Sequence, residues 1–325
     1  MLTLAGLAVT AWLIGKTGAG QVVAATAAIG PIGFLLLCGY TLAVLVVLGA
    51  AWFAVAPGLP AELLPAFIWG RTTREAATDV LPFSLFGGLI VGGRTLAARG
   101  IRDSLIYASM IADLTTELAA QALFSLAGVS VLLVVLAHEP VGARLIPLAV
   151  GGLIAMIAIM AAFAFAQRPL LRLAEGLGGR LLPGSNAAMA GIRAELDAIY
   201  RKRARVLAGF LLNLVAWIAS AAGAWIALSF MGARAPLWAI VTIEALIFTV
   251  RSVAFAIPGG IGVQETAYIL IGPLFGLTPS MALALSLVKR ARDLAIGVPA
   301  ILIWQVTEYR TLASRKRGIP DKVAS

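Results

Sequence analysis

The chain is poor in the residue types from which most enzyme sites are built. Its 325 residues hold one histidine, His138, and one cysteine, Cys38. One histidine excludes a two-histidine metal motif, and one cysteine excludes an intrachain disulfide or a thiolate cluster. Cys38 lies in an apolar run and reads as a small lipid- or helix-facing side chain. His138 sits beside Glu139 and Pro140 in a predicted outer loop, where a histidine is normally solvated. The chain has no Gly-x-Ser-x-Gly elbow for a serine nucleophile. It also has no Gly-x-x-x-x-Gly-Lys-Ser/Thr loop, so it does not itself supply energy from ATP. No cofactor and no metal is expected. Charge is scarce too: 12% of residues are charged, where a soluble domain carries about 25%.

What fills the sequence is apolar residues, 61% of the total. That is too much for the core of one soluble domain, and it excludes a disordered chain. The 34 glycines follow no period of three, so a collagen-like chain is excluded as well. The composition describes a protein dissolved in lipid. The expected fold class is all-α: a polytopic helical membrane protein with about 6–8 transmembrane helices, some broken or re-entrant.

A spanning helix needs about 20 mostly apolar residues. Ile32–Val55, Ser104–Ala137, Val141–Ala166, Arg205–Phe230 and Leu237–Ile257 meet that need. Leu2–Gly15 is shorter and lacks the basic start of a signal peptide, so it reads as a first span. Ile261–Phe275 and Met281–Gln305 are apolar but interrupted. Two breaks stand out. The segment 82–98 contains Pro82, Gly87 and Gly88, and it is short for a crossing. The run Ile-Pro-Gly-Gly-Ile-Gly places Pro258, Gly259, Gly260 and Gly262 between two apolar stretches. Proline removes a backbone donor and each glycine costs about 1 kcal/mol in a helix. In lipid such backbone survives only where protein or a wet cavity satisfies it. Re-entrant segments are therefore expected at 82–98 and 258–276, one in each half, as in transporters built from inverted repeats. Gly88-x-x-x-Gly92 is suited to close helix packing within the chain.

The net charge is +10. Eighteen of the 25 basic residues fall in three segments, 56–102, 168–205 and the tail. The first of these includes Arg71, Arg74 and Arg94. With all three segments cytoplasmic, the other side keeps Lys16, Arg144 and Arg234 only, as the positive-inside rule requires. This arrangement puts both termini in the cytoplasm and needs no nucleic acid to explain the charge. The chain then forms one integral membrane domain over 1–310, followed by a basic tail at 311–325. Within 168–205, Met189, Ile192, Leu196 and Ile199 recur at helical spacing. They predict an amphipathic helix lying in the cytoplasmic headgroup layer as a connector.

Nine charged residues remain inside apolar stretches: Arg251, Lys289, Arg290, Arg292, Asp113, Glu117, Glu244, Glu265 and Asp293. Each costs about 2.5–3.5 kcal/mol near the bilayer centre, so they must face one another or a wet cavity. All nine are candidate substrate-binding residues. Asp113, Glu117 and Gln121 share one helix face, with Ser109 and Thr116 extending the polar stripe. Glu244 and Arg251, two turns apart, share another. Lys289 and Asp293, one turn apart, are placed to neutralise each other. Glu265 follows the Pro-Gly-Gly break, where a new helix would begin and an acid is favoured.

The block Pro258-Gly-Gly-Ile-Gly-Val-Gln-Glu265, with Arg251 before it and Ser286-Leu-Val-Lys-Arg-Ala-Arg-Asp293 after it, resembles the flippase-like transmembrane family. That family includes the membrane region of lysylphosphatidylglycerol synthase. The segment Asp79-Val-Leu-Pro-Phe-Ser-Leu-Phe-Gly-Gly, with Asp113 and Glu117 beyond it, resembles the hopanoid-biosynthesis-associated branch. The resemblance implies a carrier in the bacterial cytoplasmic membrane that flips or exports a polar lipid, a hopanoid in that branch. Membrane lipids are the implied partners, with lipid-biosynthesis enzymes beside them. Only a short basic stretch follows Gln305, so lipid aminoacylation is not expected. Arg251→Ala and Glu265→Ala are expected to abolish lipid export. A lipid-modifying enzyme and a scaffold for lipid-synthesis enzymes are the competing readings.

Overall fold

The computed structural model describes residues 12–80, 84–136, 142–181, 185–253 and 261–316. Among them every regular element is a helix: α1 (Ala19–Ala27), α2 (Gly30–Val55), α3 (Leu64–Val80), α4 (Ser84–Ala97), α5 (Asp103–Leu136), α6 (Gly142–Leu181), α7 (Ser185–Arg201), α8 (Arg203–Phe230), α9 (Leu237–Val253), α10 (Val263–Ile271) and α11 (Pro279–Lys316). The all-α expectation holds for this part of the chain. Among the described residues, four helices are long and apolar enough to cross a membrane: α2, 103–135 of α5, 150–167 of α6, and α8. Large apolar side chains such as Ile32, Leu35 and Phe165 are exposed on their outer faces. A soluble monomer rarely tolerates so much contiguous apolar surface, whereas lipid tails cover it without cost.

Both breaks produce helix pairs. α3 and α4 form the first, packed along a glycine stripe. A Cβ at Gly88 would collide with Thr78 Oγ1 and with the Arg74 carbonyl oxygen, and one at Gly92 would lie 3.1 Å from Arg74 Cβ. The close packing expected of Gly88-x-x-x-Gly92 is thus within the chain. Gly87 faces open space. Re-entry was expected for 82–98, and the described part of that segment, α4, packs along α3. α9 and α10 form the second pair. At 9 residues α10 is about 13 Å long, far short of a bilayer. Pro82, Pro258, Gly259 and Gly260, which mark the two breaks, lie outside the described residues, as do His138, residues 2–11 of the expected first span, and 317–325 of the tail.

The two halves share one order of elements. A long helix, a broken pair and a second long helix appear as α2, α3–α4, α5 and again as α8, α9–α10, α11. The long helices α2 and α8 pack closely, Gly33 against Phe230 and Gly223 against Tyr40.

Three expectations change. The span at 141–166 does not end there: α6 continues through Pro169 to Leu181. The last described helix, α11, passes the 310/311 boundary and runs to Lys316. The amphipathic helix exists as α7, and its apolar stripe is covered by protein. Ile192, Leu196 and Ile199 are buried in one cluster with Ile101, Leu105 and Ile106 at the start of α5. A helical apolar stripe is satisfied equally by lipid or by another helix, and here α5 is within reach.

Candidate functional site: a charged cavity between the two hairpins

The polar stripe on α5 finds its partners on α3. Arg71 Nη1 donates to Asp113 Oδ2 at 2.9 Å and to Glu117 Oε2 at 3.0 Å, and its Nη2 reaches Glu117 Oε1 at 2.5 Å. Arg74 donates to the same two carboxylates at 3.0 and 2.8 Å. Glu75 adds a third acid 2.9 Å from Arg71 Nη2. Asn213 of α8 donates to Thr116 Oγ1 at 3.1 Å, Trp52 donates to Ser109 at 3.1 Å, and the Arg74 guanidinium stacks over the Trp52 ring. The planar fork of arginine suits this bidentate pairing in a dry interior.

Arg71 and Arg74, which belong to the basic segment 56–102, are buried in this network, 1% and 4% exposed. The reason is their spacing. Arg71 and Arg74, at i and i+3 on α3, face the two acids at i and i+4 on α5, so the four groups interlock.

The second half repeats the scheme with the signs exchanged. Here the broken helices carry the acids and the long helix the bases. Glu244 of α9 accepts from Lys289 of α11 and from the Tyr268 hydroxyl of α10, and Lys289 donates to Tyr268 at 2.8 Å. Glu265 stands at the start of α10 as expected. It accepts the Gly262 amide at 2.7 Å, with Gly262 at φ 85°, and takes Arg290 Nε at 2.5 Å. Ser286 donates to the same carboxylate at 3.2 Å and receives Gln264 at 2.8 Å. Lys289 therefore pairs with Glu244 rather than with Asp293, and Asp293 takes its own neighbour Arg292 at 2.6 Å. Tertiary contact overrides the local i, i+4 pairing because a dry partner is worth more than a solvated one.

Between these two networks lies a cavity of about 450 Å³. Its walls come from α2, α3, α5, α8, α9, α10 and α11. Eight charged side chains line it, four of each sign: Arg71, Arg251, Lys289 and Arg292 against Glu75, Asp79, Glu117 and Asp293. Apolar side chains line it too, among them Val44, Leu45 and Leu48 of α2, and Trp217 and Phe248. Of the nine expected residues, Arg251, Glu117, Lys289, Arg292 and Asp293 face the cavity. Asp113 and Glu244 stand behind it and hold the lining cations. Glu265 and Arg290 are brought together at the start of α10, away from the lining. Of the helix-break residues, Gly87 and Gly88 lie on α4, and Gly262 caps α10.

The sequence reading missed Arg71, Arg74, Glu75 and Asp79. A signal was present: the stretch Arg71-Thr-Thr-Arg-Glu-Ala-Ala-Thr-Asp79 carries charge at i, i+3, i+4 and i+8 beside a helix break, and the acid stripe on 113–117 had no cation of its own.

A charged cavity walled by apolar helices, in a chain of broken and crossing helices, defines a polytopic membrane protein with a buried polar site. A family model described as the lysylphosphatidylglycerol synthase TM region matches residues 2–300. The chain belongs to that family, and it is a membrane protein of lipid-related type. No curated protein and no solved structure matches the chain.

Proposed function

We propose that this protein carries a lipid with a polar headgroup across or out of the cytoplasmic membrane, with the headgroup passing through the charged cavity. The observation that carries the reading is the cavity itself. Eight charged side chains replace the hydration that a headgroup loses in hydrocarbon, while the apolar side chains of α2 accept acyl or ring carbon. The paired helices α3–α4 and α9–α10 flank this cavity, as expected where a polar cargo is met inside a bilayer between interrupted helices. On this reading the chain is a carrier and not an enzyme, both termini are cytoplasmic, and membrane lipids are its partners. The resemblance at 79–88 points to a hopanoid as one such lipid, and the transport reading does not depend on that choice.

The test is reconstitution. Vesicles containing the purified protein and a trace of tail-labelled lipid are treated with a membrane-impermeant quencher. Transport predicts a second, protein-dependent phase of quenching with every lipid species unchanged in mass. A changed lipid mass would make it an enzyme, and quenching that matches protein-free vesicles would refute transport.

A further inference from the structure

The cavity's charges are not all spoken for. Arg71 is held by Asp113, Glu117 and Glu75, Lys289 by Glu244, and Arg292 by Asp293. Two lining charges remain. Neither Arg251 nor Asp79 makes a hydrogen bond or an ion pair among the described residues, although both face the same space. The lining also holds a buried donor without a partner, Trp217 Nε1. Among the described residues the buried charges Arg71, Arg74, Asp113, Glu244, Glu265 and Lys289 all have partners. Arg251 and the more exposed Asp79 instead present a cation and an anion to one cavity, where a ligand carrying both charges could meet them.

Their positions strengthen the point. Asp79 is the penultimate residue of α3, just before the first break, and Arg251 stands two residues from the end of α9, just before the second. They occupy corresponding places in the two halves and bear opposite signs, like the networks behind them. The total charge of the lining is zero. A net-anionic headgroup would leave Asp79 opposed by a like charge, and an uncharged polyol would offer a full charge to neither residue.

We infer that the cavity recognises a zwitterionic headgroup joining a phosphodiester to a primary amine, with the phosphate on Arg251 and the ammonium on Asp79. This rests on the transport reading and names its cargo class. The guanidinium fork matches two phosphate oxygens, and Trp217 Nε1 is a further donor in the same lining. The ammonium finds its acceptor in the carboxylate of Asp79. Val44, Leu45 and Leu48 lie beside this site, so the headgroup arrives on acyl chains.

Tail-labelled lipids differing only in headgroup test the inference in vesicles: phosphatidylethanolamine, phosphatidylglycerol and an uncharged hopanoid polyol. The parent is expected to move the ethanolamine lipid at least about tenfold faster than either of the others. Asp79→Asn should lower the ethanolamine-to-glycerol rate ratio by about tenfold, and Asp79→Glu should restore it. Arg251→Gln should slow both phospholipids. Elution of each variant as the same single species in detergent shows that it has folded. Glycerophosphoethanolamine, the same headgroup without acyl chains, should not compete. Strong competition would assign the cavity to a soluble headgroup and overturn the lipid assignment. If the parent moves the glycerol lipid or the polyol as fast as the ethanolamine lipid, the zwitterion inference fails and transport stands. If it moves none of the three, transport itself fails.

Discussion

Removing the carboxylate of Glu244 isolates a charge that the fold has buried. Lys289 and Glu244 are 5% and 0% exposed, and Glu244 also takes the hydroxyl of fully buried Tyr268. Glu244→Gln leaves the Lys289 ammonium with a neutral amide and the Tyr268 hydroxyl, and Arg251 and Arg292 of the same lining give no relief because they repel it. Breaking a buried pair from one side costs about 3–5 kcal/mol. At about 2 °C per kcal/mol for a chain of this size, the melting temperature should fall by about 6–10 °C. The triple variant Glu244→Leu, Tyr268→Phe, Lys289→Met removes every member of the network and replaces it with apolar volume. Such exchanges are neutral or stabilising in other buried ion pairs, so the triple variant should melt near the parent. The assay is the fraction of protein surviving heat in one detergent, read by size-exclusion fluorescence. Two results would refute the reasoning: Glu244→Gln melting within about 1 °C of the parent, or a triple variant no more stable than the single one.

The α3–α4 pair depends on bare backbone at Gly88. Gly88→Ala should cost about 1–3 kcal/mol through collision with Thr78 and the Arg74 carbonyl, whereas Gly87→Ala, facing open space, should melt within about 1 °C of the parent. The same heating assay reads both. The arginines of this pair differ by burial. Arg71→Ala strips Glu117 of its bidentate partner in a dry site and should cost about 3–5 kcal/mol. Arg94→Ala breaks only the half-exposed pair with Glu308 and should cost about 1 kcal/mol or less. Equal melting temperatures for these two arginine variants would contradict the placement of α3.

The crossing helices were legible because their signal is length and apolarity alone. Gly30–Val55 and Arg203–Phe230 match the expected spans to within two residues. Glu265 was legible for a different reason: a Pro-Gly-Gly break followed by an acid is a local signature of a helix start, and the structure realises it through the Gly262 amide. Arg71 and Arg74 were not legible. Counting basic residues by segment treats every cation in a polar stretch as a topological marker, and α3, with its threonines and Glu75, reads as polar. Only its packing against α5 shows that the polar face points inward. The same limit explains Lys289. Sequence distance offers Asp293, and Glu244, 45 residues away, becomes a partner only once α9 and α11 are side by side. The apolar face of α7 was read from its period, which does not say whether lipid or α5 will cover it.

The central claim is that the cavity lined by Arg251 is the path of the headgroup. It is tested most directly by the rate at which tail-labelled lipid crosses vesicles carrying the parent, Arg251→Ala or Arg94→Ala at equal incorporation. Arg251→Ala, which removes a cavity cation with no ion pair among the described residues, is predicted to slow movement at least about tenfold, while Arg94→Ala, outside the cavity, leaves the rate unchanged. Equal rates for the parent and Arg251→Ala would contradict it.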